Sequence, residues 1–156
     1  MAPFVLPLRS SAATLATAGG KGKSLSQLAR ARFPVPAGFV VTTAAYRAFV
    51  QETGLQPRIL RLAKGDPQGD VEEVSAEIRG LFEGGGIPSN VASEIGQAHS
   101  ALCSDGQVPI PLAVRSSATA EDLPGASFAG QQESYLNVCG EQDLLRAVKR
   151  CWSSLW

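Results

Sequence analysis

The sequence predicts a domain of the α+β or α/β class. Apolar residues recur at helical spacing in several stretches, short β-branched or aromatic runs lie between those stretches, and glycine and proline clusters punctuate the whole. Residues 4–8 are apolar, but Pro3 and Pro7 restrict them to an edge strand. "TAGGKGKS" then reads as a glycine-rich turn, followed by a helix over 23–32 that carries Leu25, Leu28 and Ala29 on one face and stops at "FPVPAG". Residues 39–42 form a strand candidate. Thr43 is placed to cap a helix bearing Tyr46, Phe49 and Val50, which Gly54 ends, and a short helical piece around Ile59 and Leu62 follows.

Beyond the breaker "KGDPQGD", Asp70 and Glu73 have the spacing of a capping box for a helix with Val71, Val74, Ile78, Leu81 and Phe82 in one stripe. "EGGGIPS" ends it. Ser89 is placed to cap the next helix, whose Val91, Ile95, Ala98 and Leu102 face inward. Residues 108–114 predict a strand interrupted by Pro109 and Pro111, and 135–138 predict another. The last helix carries Leu144, Leu145, Val148, Trp152 and Leu155. It reaches the end of the chain without a stop signal, so its large apolar face is expected to meet a partner further along a longer protein. A terminal helix docked on its own domain is the alternative.

Composition narrows the function. Apolar residues make up 44% of the 156, enough for a buried core. The 14 Lys and Arg balance the 14 Asp and Glu and are scattered, which argues against a nucleic-acid protein bound through a broad basic face. A local phosphate site needs only one or two cations and stays open. Cys103, Cys139 and Cys151 lack metal or C-x-x-C spacing and read as thiols of a reducing compartment. The N-terminus lacks the layout of a signal peptide and no run is long enough to span a bilayer, so a cytoplasmic protein is expected.

Two stretches can carry chemistry. "GGKGKS" matches the end of a P-loop, but Thr17 stands where that motif's first glycine belongs and no convincing strand precedes it. Glycines that admit a ligand to the backbone, with Lys21 or Lys23 supplying a point charge for phosphate, fit better, although alone the stretch reads as a turn with solvated lysines. The second stretch is "RSSATAEDLPGASFAGQQESYLNV". Arg115 stands at a strand end, and its forked, permanently charged guanidinium suits phosphate. The segment after it is longer than most connections, with Gly125 and Gly130 around "ASFA" and hydroxyls at Ser116, Ser117, Thr119 and Ser127. Mobile amides and hydroxyls of this kind can close over a triphosphate.

"GGKGKSLSQLARARFPVPAGFVVTTAAYRAF" and "PLAVRSSATAEDLPGASFAGQQESYLNV" together resemble the N-terminal ATP-binding domain of phosphoenolpyruvate synthase and its relatives, including rifampicin phosphotransferase. The resemblance covers most of the chain and is weakest over 56–107. It implies the N-terminal lobe of an ATP-grasp domain, a mixed sheet with several amphipathic helices, with residues 1–156 forming the first part of one ATP-binding domain. Members of this family bind ATP between two lobes and move its β-phosphate to a histidine on a separate mobile domain. The group then passes to pyruvate, or to a hydroxyl of rifampicin, and AMP and phosphate are released. Carried onto this sequence, the family's phosphate-holding lysine and arginine match Lys21 and Arg115. Gly130 and Ser134 match positions near the nucleotide, and Gly125, Ala126, Ser127 and Phe128 belong to the lid.

The resemblance implies no catalytic residue within this stretch. The Mg2+ ligands, the second lobe and the phosphohistidine domain are expected outside it, and the isolated piece is expected to be inactive. His99, the single histidine, reads as a solvated or core-edge residue. Two rivals remain at this level: a noncatalytic nucleotide-binding module that kept the fold, and a P-loop hydrolase that depends on Lys23 rather than Lys21.

Overall fold

The computed structural model describes residues 2–64, 70–103, 110–119 and 134–156. The architecture is α+β, with six helices and two small antiparallel ladders among the described residues. The first ladder pairs β1 (Val5–Pro7) with β2 (Phe39–Val41), setting Val5 opposite Val41 and Pro7 opposite Phe39. The second pairs β3 (Leu112–Arg115) with β4 (Ser134–Val138). Its register slips once. Leu112 faces Val138, but Val114 faces Tyr135, so β4 carries one extra residue, and Asn137 lies there at φ 57°. This bulge brings Tyr135 and Val138 to the same face although they are three apart, and leaves Leu136 69% exposed.

Helix α1 (Leu15–Arg30) connects the two strands of the first ladder, α2 (Thr43–Glu52), α3 (Leu55–Ala63), α4 (Val71–Gly84) and α5 (Ser89–Cys103) run between the ladders, and α6 (Glu141–Ser153) closes the fold. Most of the stripes expected from spacing are buried, with Phe49 and Val50 on α2, Ile78 and Phe82 on α4, Val91 and Ile95 on α5, and Leu144, Val148 and Trp152 on α6, but Leu28, expected on one face of α1 with Leu25 and Ala29, is 43% exposed. Their centre is aromatic. Phe49 lies 5.6 Å from Phe82 and 5.1 Å from Trp152, and Tyr46 lies 5.9 Å and 6.0 Å from the same two rings. Offset and edge-on pairs at such distances add to the burial of each ring.

Polar contacts fasten the elements. The Glu94 carboxylate on α5 accepts from the backbone N–H of Phe4 at 2.9 Å and of Val5 at 3.3 Å, filling donors on β1. Lys149 on α6 donates to the carbonyls of Glu83 at 2.8 Å and Gly85 at 2.9 Å, where α4 runs out of intrahelical partners. The Arg150 guanidinium lies 4.5 Å over the Tyr135 ring and joins α6 to β4.

Several boundaries differ from the sequence reading. The helix expected to begin at residue 23 begins at Leu15, because Thr14 and Thr17 form a capping box: the Thr17 N–H donates to the Thr14 hydroxyl at 3.3 Å and the Thr14 N–H to the Thr17 hydroxyl at 2.9 Å. The helix ends at Arg30, and Arg32 lies at φ 64°. Thr42, not Thr43, occupies the cap position of α2, and Ser89 is the first residue of α5 rather than its cap. Asp70 does cap α4, accepting from the Glu72 N–H at 2.8 Å. Leu155 falls beyond the end of α6, loses the phase of its stripe and is 44% exposed.

Candidate functional site

The glycine-rich stretch is not a turn before a helix. It lies within α1, which is broken at Gly19 (φ 68°, ψ −179°), a conformation open essentially to glycine alone. An interrupted helix leaves backbone groups without their usual partners, and four of them here find others. Gly20 N–H would meet the Ala16 carbonyl in an unbroken helix. Instead it donates to the Ala118 carbonyl at 3.1 Å, while the Ala16 carbonyl accepts from the Thr43 hydroxyl at 2.8 Å.

The next helical pair, the Ala18 carbonyl and the Gly22 N–H, is bridged by one side chain. The Ser117 hydroxyl donates to the Ala18 carbonyl at 2.7 Å and accepts from the Gly22 N–H at 3.0 Å. The chains are pressed together at this point. A Cβ on Gly19 would sit 2.1 Å from the Ser117 carbonyl oxygen, far inside any real contact. The result is a clasp between residues 18–22 and the two residues 117–118, just past the end of β3.

The clasp brings the two candidate cations to one cavity. Lys21 lies in the clasped turn and is half-buried, while Arg115 is the exposed last residue of β3, two positions before Ser117. Both line a groove of about 570 Å³ between α1, β2, β3 and α6. Leu25, Val40, Val114 and Val148 give the groove a largely apolar wall, with the lysine and arginine as its charged groups. On the opposite strand Ser134 faces Arg115 in register, and the arginine Nε donates to its hydroxyl at 3.4 Å. Ser117 also lines a second, smaller cavity of about 390 Å³, where Tyr46, Trp152 and Trp156 form the far side.

The structure therefore brings together Lys21, Arg115 and Ser134. Gly125, Ala126, Ser127, Phe128 and Gly130 lie outside the described residues. Lys23, the residue a P-loop would use, stands within α1, and no strand runs directly into the glycines: residues 8–14 separate β1 from the start of that helix. Ser117 was expected among the hydroxyls facing a ligand, but its hydroxyl bonds α1 instead. The signal for this was the pair Gly19 and Gly20 just before the lysine, which marks a close approach, although nothing local names the approaching residue.

His99 is half-buried at the core edge, its Nε2 3.6 Å from the Cys103 sulfur. No disulfide joins the three cysteines. Among the described residues, no group of three or more His, Cys, Asp or Glu could hold a metal ion, and no helix is long and apolar enough to cross a membrane.

The family described as pyruvate phosphate dikinase, AMP/ATP-binding domain, matches residues 15–156. Curated proteins resemble the same stretch. The chain is 46% identical over 143 residues to a probable phosphoenolpyruvate synthase of Methanothermobacter thermautotrophicus, covering 89% of this chain and 21% of that protein. It is 48% identical over 141 residues to a probable phosphoenolpyruvate synthase of Archaeoglobus fulgidus, covering 88% and 19%. With the phosphoenolpyruvate synthase of Pyrococcus furiosus it is 39% identical over 174 aligned positions, covering 88% and 21%. The chain thus spans about a fifth of the length of these relatives.

Proposed function

Because the chain belongs to the pyruvate phosphate dikinase AMP/ATP-binding domain family, we propose that it forms the lobe of an ATP site in which Lys21 and Arg115 grip the polyphosphate, within a phosphoenolpyruvate synthase-like phosphotransferase. The observation that carries this reading is the shared groove: Lys21 and Arg115, 94 positions apart in sequence, line one cavity, and the Ser117 clasp links their segments. Phosphoryl transfer asks a protein mainly for positioning and for positive charge at the phosphate oxygens. A lysine on a glycine-flanked turn supplies a movable point charge, and an arginine at a strand end supplies a forked one. Ser134, beside Arg115, orients the guanidinium edge. Residues 125–130 act as the lid over the bound nucleotide.

The reaction proposed for the whole protein moves the ATP β-phosphate to a histidine and on to pyruvate, releasing AMP and phosphate. Pyruvate is favoured over rifampicin as acceptor because the curated relatives carry the name phosphoenolpyruvate synthase. His99 is not the phosphorylated residue in this scheme, since it sits beside Cys103 on α5 and is not among the groove's lining residues. Magnesium would shield the phosphates, but the described residues offer no carboxylate cluster for it. Its ligands would come from other parts of the protein.

Calorimetric titration of the full-length protein with ATP tests the reading. Lys21→Ala and Arg115→Ala should each weaken binding by roughly 10- to 100-fold, the range for losing a charge-assisted contact of about 1.5–3 kcal/mol. Lys23→Ala should change it little. Wild-type affinity in both of the first two variants overturns the proposal, and a loss confined to Lys23→Ala turns it into a P-loop. Rifampicin consumed in place of pyruvate would reassign the acceptor alone.

A further inference from the structure

We infer that Ser117 is a positioning residue for the ATP site, its hydroxyl setting where Lys21 stands relative to Arg115. The inference rests on the reading that those two cations hold ATP. Ala18 and Gly22 are four residues apart, the spacing of one helical hydrogen bond, and the Ser117 hydroxyl occupies that bond: it gives its proton to the Ala18 carbonyl and takes the Gly22 N–H on its lone pair. The turn so closed contains Lys21. The residue that closes it lies 95 positions beyond Gly22 in sequence and two past Arg115.

A hydroxyl is suited to this place because it donates and accepts at once. A plain helix through 18–22 would satisfy the same backbone groups by itself, so the break needs a reason beyond stability. Its geometric effect is to tie the lysine's turn to the strand end that bears the arginine. The Gly20 N–H on the Ala118 carbonyl, at 3.1 Å, and the close approach of Gly19 to the Ser117 backbone hold the same two segments in register. Ser117 touches both cavities, so it also forms part of the wall between them.

The test is a double-mutant cycle on ATP affinity in the full-length protein, with unfolding followed alongside. Ser117→Ala should weaken ATP binding per folded molecule by about tenfold, since small misplacements of positioning groups cost one to two orders of magnitude. In a Lys21→Ala background the same substitution should cost no more than about twofold, because residues acting through one another are not additive. Ser117→Thr, which keeps the hydroxyl, should restore most of the affinity. If Ser117→Ala does not fold, Ser117→Cys, of similar size with weaker hydrogen bonds, takes its place in the cycle.

Wild-type affinity in the Ser117 variant, an equal loss with and without Lys21, or no rescue by threonine overturns the inference. A fall in stability with unchanged affinity does the same, and assigns Ser117 to the fold alone. If Lys21→Ala and Arg115→Ala have no effect by themselves, the failure belongs to the ATP reading instead.

Discussion

Two regions of the molecule are close-packed for different reasons. Around Phe49, Phe82 and Trp152, ring centroids lie 5.1–5.6 Å apart and helices from most of the chain bury apolar surface together. Around Gly19 and Ser117, the contacts are hydrogen bonds among backbone groups and one hydroxyl, made possible by the absence of a single Cβ. The first region answers to volume: its stability falls in proportion to what is removed, and neighbours can partly relax. The second answers to single atoms, since a methyl group added there or a hydroxyl lost changes which chain touches which. The aromatic core holds the described helices together, and the clasp ties the turn that contains Lys21 to the strand end that bears Arg115.

The largest expected effect sharpens this contrast from the core side. Phe82 is fully buried and stacks on both Tyr46 and Phe49. Phe82→Ala should lower unfolding stability by about 3–5 kcal/mol, read from the shift of a denaturant midpoint. ATP affinity of the folded fraction should fall less than in Lys21→Ala, because Phe82 is not among the residues that line the groove. A loss of affinity comparable to that of Lys21→Ala would mean that the core, too, sets the position of the cations.

Gly19→Ala probes the clasp and should show the opposite balance. The added Cβ would meet the Ser117 carbonyl at 2.1 Å, and the backbone stands at φ 68°. The strain of a non-glycine residue in such a conformation is about 1–3 kcal/mol, less than the Phe82 truncation, and separating the two segments relieves the contact. Affinity should therefore fall by about tenfold or more while stability falls less than in Phe82→Ala. A variant that keeps wild-type affinity would show that residues 117–118 can retreat without moving the cations.

The two regions also differ in how far the sequence disclosed them. Helical stripes are local, so Phe49, Phe82, Val91, Ile95 and Trp152 could be placed inward from spacing alone, and all are buried. Leu155 missed because two residues past a helix end are enough to lose its phase. "SYLNV" does not alternate cleanly, and the bulge at Asn137 that reconciles Tyr135 with Val138 depends on the partner strand. "TAGGKGKS" read as a turn because glycine composition reports freedom, not the use made of it. The compensating partners, Thr43 for Ala16 and Ser117 for Ala18 and Gly22, lie at least 20 residues away and carry no periodic signal. Lys21 and Arg115 were ordinary surface cations on residue type alone. The family resemblance singled them out, and the shared groove now gives them a common location.

Tyr46 stands on the boundary between the regions and gives the smallest and most specific test. Its ring contacts Phe82 and Trp152, and its side chain also lines the cavity bordered by Ser117. Burial pushes its phenol pKa up. In the unfolded chain a tyrosine titrates near pH 10, so above about that pH the unfolded state releases its proton first and gains relative to the fold. The stability Tyr46 contributes is thus complete below about pH 10 and is lost as pH rises through the raised folded value. Tyr46→Phe removes only the hydroxyl and should cost about 1 kcal/mol or less at neutral pH. It should also flatten part of the alkaline decline, as seen by comparing denaturant midpoints from pH 8 to pH 11 in the two proteins. Parallel curves would remove Tyr46 from the alkaline transition. A change in ATP affinity with unaltered stability would instead move this residue from the core's side of the boundary to the clasp's.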